Sequence, residues 1–119
     1  MLFRSHSLGG VDPRLHHGTL NAMFLPAVVQ FNASAESIQK EKRLERMARA
    51  MGLSSGGDVA EALRDMNARL YLPSGLAAMG VTSASFEKII QGAMADHCHT
   101  TNPRLASHEE YRELLAASV

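Results

Sequence analysis

Between about residues 19 and 32, Leu20, Met23, Phe24, Ala27, Val28 and Phe31 recur at i, i+3, i+4, i+7, i+8 and i+11. That spacing makes one wide apolar stripe along a helix. No stretch of the chain alternates apolar with polar residues long enough to make a convincing strand. The stripe contains Pro26, which cannot donate to the carbonyl of Ala22. A kink, or a helix beginning near Pro26, is therefore expected.

The same periodicity returns four more times, punctuated by breakers. A helix is predicted over about 35–51, with Leu44, Met47, Ala48 and Met51 as its seam, a Glu45–Arg49 pair on its surface, and Gly52 as its C-terminal cap. Ser54, Ser55, Gly56 and Gly57 read as a loop. Asp58 then caps a helix in a box with Glu61, with seam Val59, Leu63, Met66 and Leu70, ended by Pro73. After a short turn over 74–79, a helix opening at Thr82 or Ser83 buries Phe86, Ile89, Ile90 and Ala93. Ser107 and Glu110 form a capping box for a last helix that buries Tyr111, Leu114 and Leu115. About five helices joined by short loops make an all-α bundle, read as a single domain over 1–119. Low aromatic content (5%), no tryptophan and seven methionines suit helix packing.

Charge and cysteine usage narrow the function classes. Twelve basic residues balance twelve acidic ones. That neutrality gives no electrostatic reason to seek nucleic acid or anionic lipid. The longest apolar run, 22–29, is too short for a bilayer, which takes roughly 20 residues. The first ten residues lack a signal-peptide core. The single cysteine, Cys98, excludes an internal disulfide framework and suggests a reducing, cytoplasmic setting.

Six histidines in 119 residues is an enrichment, and His6, His16 and His17 lie near the start. Neutral imidazole is the commonest protein metal ligand. Spacing alone does not make these three a recognised metal motif. Asp96, His97, Cys98 and His99 are too close in sequence for all four to reach one ion from a helix, and read as a polar helix end. Gly56 and Gly57 have no strand before them, so they read as a turn and not a pyrophosphate loop; no cofactor-binding residue is assigned. Asn102, Pro103 and Arg104 read as a structural turn, and His108 as a solvated first-turn residue.

The order of several short motifs carries more. His6-Ser7-Leu8-Gly9-Gly10, then His17-Gly18, Asn21-Ala22, Leu25-Pro26 and Phe31-Asn32 resemble the signature of iron-containing alcohol dehydrogenases. Met51-Gly52, Leu72-Pro73, Leu76…Met79-Gly80-Val81 and Asn102-Pro103-Arg104 follow in the family's order, over roughly residues 5–117. The resemblance implies the helical C-terminal domain of such an enzyme. In this family one aspartate and three histidines hold a divalent iron, and zinc or another divalent ion in some members. The histidine of the His-Gly step maps onto His17, with His16 as the alternative if the register shifts by one. His6 resembles a histidine near metal and nicotinamide that positions substrate or relays a proton. Cys98 falls in a segment that returns to the substrate pocket.

The departures also count. Another family ligand should lie four residues before His6, where Leu2 stands, and two more lie upstream of this sequence. The resemblance therefore implies that the nucleotide-binding domain is absent from this chain, that NAD(P) belongs to the full-length parent, and that the chain alone is inactive. Partners implied are the missing domain or a second copy, a homodimer, because methionine-rich helical faces adapt to partners. Alternatives are a stand-alone oligomerisation module and a small metal-binding protein using His6, His16 and His17.

Overall fold

Residues 16–119 are described in the computed structural model. Seven α-helices follow one another: α1 (His17–Asn32), α2 (Glu36–Lys40), α3 (Arg43–Met51), α4 (Val59–Arg69), α5 (Phe86–Ala95), α6 (His97–Thr101) and α7 (His108–Ala116). Short 3-10 turns lie at Gly56–Asp58, Ala77–Met79 and Ser83–Ser85, and no strand is present among the described residues. The five longer helices match the five expected; the fold is all-α.

The long apolar stripe makes α1 the central element. Leu20, Phe24, Ala27 and Val28 join Leu76, Phe86, Ile89, Ile90, Tyr111 and Leu115 in the main core. On another side Val29 packs against a smaller cluster of Ala48, Val59 and Leu63. A helix that contributes to two cores buries most of its circumference, which is why its sequence is apolar over more than a single narrow seam.

α1 runs unbroken through Pro26. The carbonyl of Ala22, which loses its helical donor there, accepts instead from the Asn67 side-chain amide of α4 at 2.9 Å. Arg64, one turn earlier on α4, donates to Gln30 near the other end of α1 at 2.7 Å. These two bonds set α4 antiparallel to α1.

Five local expectations are corrected. The helix expected over 35–51 is two helices, α2 and α3, because Lys42 adopts a left-handed backbone (φ 49°) between them. Ala48 is the fully covered residue of the expected seam, whereas Met47 and Met51 are each 41% exposed. Glu45 does not pair with Arg49: its carboxylate accepts from the Gly56 amide at 3.0 Å, tying α3 to the turn before α4. Asp58 makes no capping bond; Ser55 caps instead, accepting from Gly57 at 3.1 Å, because a 3-10 turn precedes α4. Met66 and Leu70, assigned to the α4 seam, stay outward, with Leu70 61% exposed.

Other expectations hold. Gly52 caps α3 with φ 73°, and Leu53 donates to Ala48 at 2.8 Å, a Schellman closure that only a residue tolerating positive φ makes without strain. Phe86, Ile89, Ile90 and Ala93 are buried on α5. The Ser107–Glu110 capping box is formed, and Tyr111, Leu114 and Leu115 are buried on α7. No helix among the described residues is long and apolar enough to cross a membrane.

Candidate metal-ligand and substrate-facing residues

The first turn of α1 carries the two histidines singled out by motif. His16 is the extended residue before the helix (ψ 124°), and its carbonyl accepts from Leu20 at 3.0 Å. His17 is the first helical residue. Both side chains are exposed. A Cβ built on Gly18 would stand 3.5 Å from the His16 ring, so His16 lies alongside Gly18. The register of the helix thus gives the two imidazoles different surroundings. His6 lies outside the described residues.

At the other end of α1 a polar cluster fixes the turn at 102–104. Asn102 donates to Asn32 at 2.7 Å and to the Arg104 carbonyl at 2.6 Å, and Asn32 donates back to Asn102 at 3.2 Å. The Arg104 guanidinium lies 4.0 Å from the centre of the Phe31 ring, donates to the Phe31 carbonyl at 3.2 Å and to Ser34 at 3.1 Å, and pairs with Glu110. This is the structural turn that the sequence suggested. Its planar fork also explains why arginine, and not lysine, suits the position. The amide and hydroxyl of Ser107, with Arg104, hold the Glu110 carboxyl below its ordinary pKa of 4.5.

Between α5 and that turn lies α6, which carries Cys98. The Asp96 carboxylate caps it, accepting from the Cys98 amide at 2.8 Å. His97 projects outward, with its Nε2 3.4 Å from Cys98 Sγ and its Nδ1 3.5 Å from Asp96. His99 turns the other way, and its Nδ1 is 2.8 Å from the hydroxyl of buried Tyr111. All four residues therefore do not converge, as the spacing implied. Three of them do: donor atoms of Asp96, His97 and Cys98 all lie within 4.8 Å of one another, the one such group of three among the described residues. Sequence reasoning missed this because Asp96 sits before the helix with an extended backbone (ψ 137°), which turns its carboxylate back over the first turn. His17 is not brought into any such group among the described residues.

His108 was expected to be solvated. Its side chain is 43% exposed, and its Nε2 also lies 2.9 Å from Glu87 on α5, with Arg112 reaching the same carboxylate at 3.0 Å. The hydrogen bond to His108, with Gln91 and Arg112 behind it, holds the Glu87 carboxyl below its ordinary value.

Comparison with known proteins gives the chain its class. Residues 4–119 match the pattern described as "Fe-containing alcohol dehydrogenase family, C-terminal". The chain belongs to the iron-containing alcohol dehydrogenase family and corresponds to its C-terminal domain. It is 52% identical to the 4-hydroxybutyrate dehydrogenase of Cupriavidus necator over 97% of its own length and 31% of that protein. It is 33% identical to the NAD-dependent methanol dehydrogenase of Bacillus methanolicus, over 93% of this chain and 30% of the relative. Identity to alcohol dehydrogenase 4 of Saccharomyces cerevisiae is 36%, over 83% of this chain and 26% of the relative. The chain thus spans less than a third of each of these relatives.

Proposed function

We propose that this chain is the metal-site-bearing helical part of an NAD(P)-linked dehydrogenase that interconverts a primary alcohol and an aldehyde, with a hydroxy-acid such as 4-hydroxybutyrate as its substrate class. The observation that carries this reading is the 52% identity to a 4-hydroxybutyrate dehydrogenase across 97% of the chain. The position of His17-Gly18 at the exposed start of α1 agrees with it.

An imidazole is a suitable ligand for ferrous ion or zinc, so His17 fits the role of one metal ligand, with His16 as the alternative. Among the described residues, His17 is not part of a group of three or more potential donors. The other ligands, the nicotinamide site and the remaining catalytic surface belong to the roughly two-thirds of the relatives that this chain does not span. When bound, the ion supplies Lewis-acid polarisation of the substrate hydroxyl. His17 would hold it at the start of α1, a helix anchored at its far end by Asn32 and Phe31. His6 would relay the proton lost by the substrate hydroxyl. Cys98 faces the substrate from the first turn of α6. Hydride transfer needs a nicotinamide site, which corresponds to the part of the relatives that this chain does not span.

Apolar side chains left bare on this domain support a partner. Met66 (39% exposed), Leu70 and Tyr71 (95% exposed) lie on α4 and the turn after it. In the whole enzyme they pack on other parts of the protein, and in the chain alone they promote self-association.

Both claims are tested by grafting this chain in place of the corresponding third of the Cupriavidus relative. Ferrous-dependent oxidation of 4-hydroxybutyrate by the graft supports the reading. A folded, dimerising graft that reduces no NAD(P) with any primary alcohol contradicts it.

A further inference from the structure

The convergence of Asp96, His97 and Cys98 has chemistry of its own. Cys98 is the sole sulfur nucleophile of the chain and is half-buried; His97 is exposed, and Asp96 is held in place by the Cys98 amide. In a tetrahedral zinc site, with Zn–S near 2.3 Å and Zn–N near 2.0–2.1 Å, the sulfur and nitrogen ligands stand about 3.5 Å apart. Cys98 Sγ and His97 Nε2 stand 3.4 Å apart. One edge of such a coordination shell is therefore already built.

We propose that Asp96, His97 and Cys98 bind a thiophilic divalent cation of the zinc class. Cys98 Sγ and His97 Nε2 are its first two ligands. The Asp96 carboxylate, whose donor atom lies within 4.8 Å of Cys98 Sγ and of one His97 ring nitrogen, closes the set after rotation of the exposed His97 side chain. Water completes four-coordination. Loading exchanges the Cys98 thiol proton for the metal: one S–H bond breaks, one S–metal bond forms, and one proton is released with no change of oxidation state. Sulfur and imidazole together favour zinc, cobalt or cadmium over magnesium or calcium, which prefer oxygen. Asp96 serves both the ion and the cap of α6, so the site is preorganised by the fold and does not rely on Cys98 alone.

The test is an anaerobic titration of the chain with cobalt(II), followed by near-ultraviolet absorbance. Because Cys98 is the one cysteine, thiolate-to-cobalt charge transfer reports this site and no other. The expected result is a band that saturates at one ion per chain and is displaced by zinc. Cys98→Ser abolishes it. His97→Ala and Asp96→Asn, the latter keeping an acceptor for the cap, each weaken cobalt affinity by about tenfold or more while far-ultraviolet dichroism stays unchanged. His17→Ala leaves the band intact, which separates this site from the metal ligand proposed at His17. Absence of the band overturns the proposal. So do unchanged affinity in both His97→Ala and Asp96→Asn, saturation at half an ion per chain, or loss of the band in His17→Ala.

Discussion

Asn67 of α4 donates its side-chain amide to the Ala22 carbonyl of α1 at 2.9 Å, the very carbonyl that Pro26 leaves without a helical donor. The pair explains how a proline sits inside the central helix without ending it. The missing backbone bond is replaced from a neighbouring helix, and the same bond fixes the antiparallel seating of α4.

This predicts coupling between two residues distant in sequence. Asn67→Ala leaves the half-buried Ala22 carbonyl unsatisfied and should cost about 1–3 kcal/mol. In a Pro26→Ala background the backbone amide of residue 26 supplies the bond, so the same Asn67 substitution should cost much less. A double-mutant cycle by urea denaturation checks it: near-additive losses would show that Asn67 does not substitute for the helical bond.

Acid should loosen the joint between α1 and α7. Glu110 accepts from Ser107 and pairs with Arg104, and its folded pKa is lowered from 4.5. A group with a depressed folded pKa stabilises fully above its unfolded value and loses that contribution as pH falls through the folded one. Glu110→Gln should therefore narrow its stability gap to the parent as pH drops below 4.5, measured by denaturant midpoints across pH. A gap that stays constant with pH would contradict the role given to the charge. Ser107→Ala, which removes the cap itself, should cost about 1 kcal/mol at neutral pH.

Tyr71 occupies a left-handed backbone (φ 56°) while its ring is almost wholly exposed. A bulky residue at positive φ is strained, and here its ring gains little packing within the chain. Tyr71→Gly should raise stability by a few tenths to about 1 kcal/mol and also reduce self-association, since it removes the most exposed large apolar side chain among the described residues. Sedimentation across a tenfold concentration range, with thermal melts, reads both effects. A destabilised variant with unchanged association would show that the ring is anchored within the fold.

The central core is packed without slack at Ile89, which is fully buried. Ile89→Ala should cost about 2–5 kcal/mol, in line with other large-to-small core changes. A loss below about 1 kcal/mol in calorimetry would place Ile89 outside the cooperative core.

The elements legible in the sequence are those whose signals are local. Periodicity placed α1, α5 and α7 and their buried residues, and the Ser107–Glu110 spacing marked a cap that the structure forms. The break between α2 and α3 was not legible, because Lys40, Glu41, Lys42 and Arg43 all favour helix. Lys42 nevertheless takes a left-handed backbone (φ 49°), which no local signal marks. Glu45 was read against its helical neighbour Arg49, but its partner is an amide eleven residues away. His108 is exposed as expected, but its partner Glu87 comes from another helix and left no local signal. At the candidate site, motif order pointed to His17 and Cys98. The convergence of Asp96, His97 and Cys98 depended on one extended residue before α6, which no period reveals.

His17 as a metal ligand in a dehydrogenase completed by a nucleotide-binding part is the centre of the proposed function. The most direct measurement is NAD(P)H formation from 4-hydroxybutyrate by the graft onto the Cupriavidus relative, reconstituted with ferrous ion, in parent, His17→Ala and His16→Ala forms. The account predicts activity in the parent, loss of both bound iron and turnover by at least about a hundredfold in His17→Ala, and near-parental activity in His16→Ala. Full iron content and full turnover in His17→Ala would contradict it.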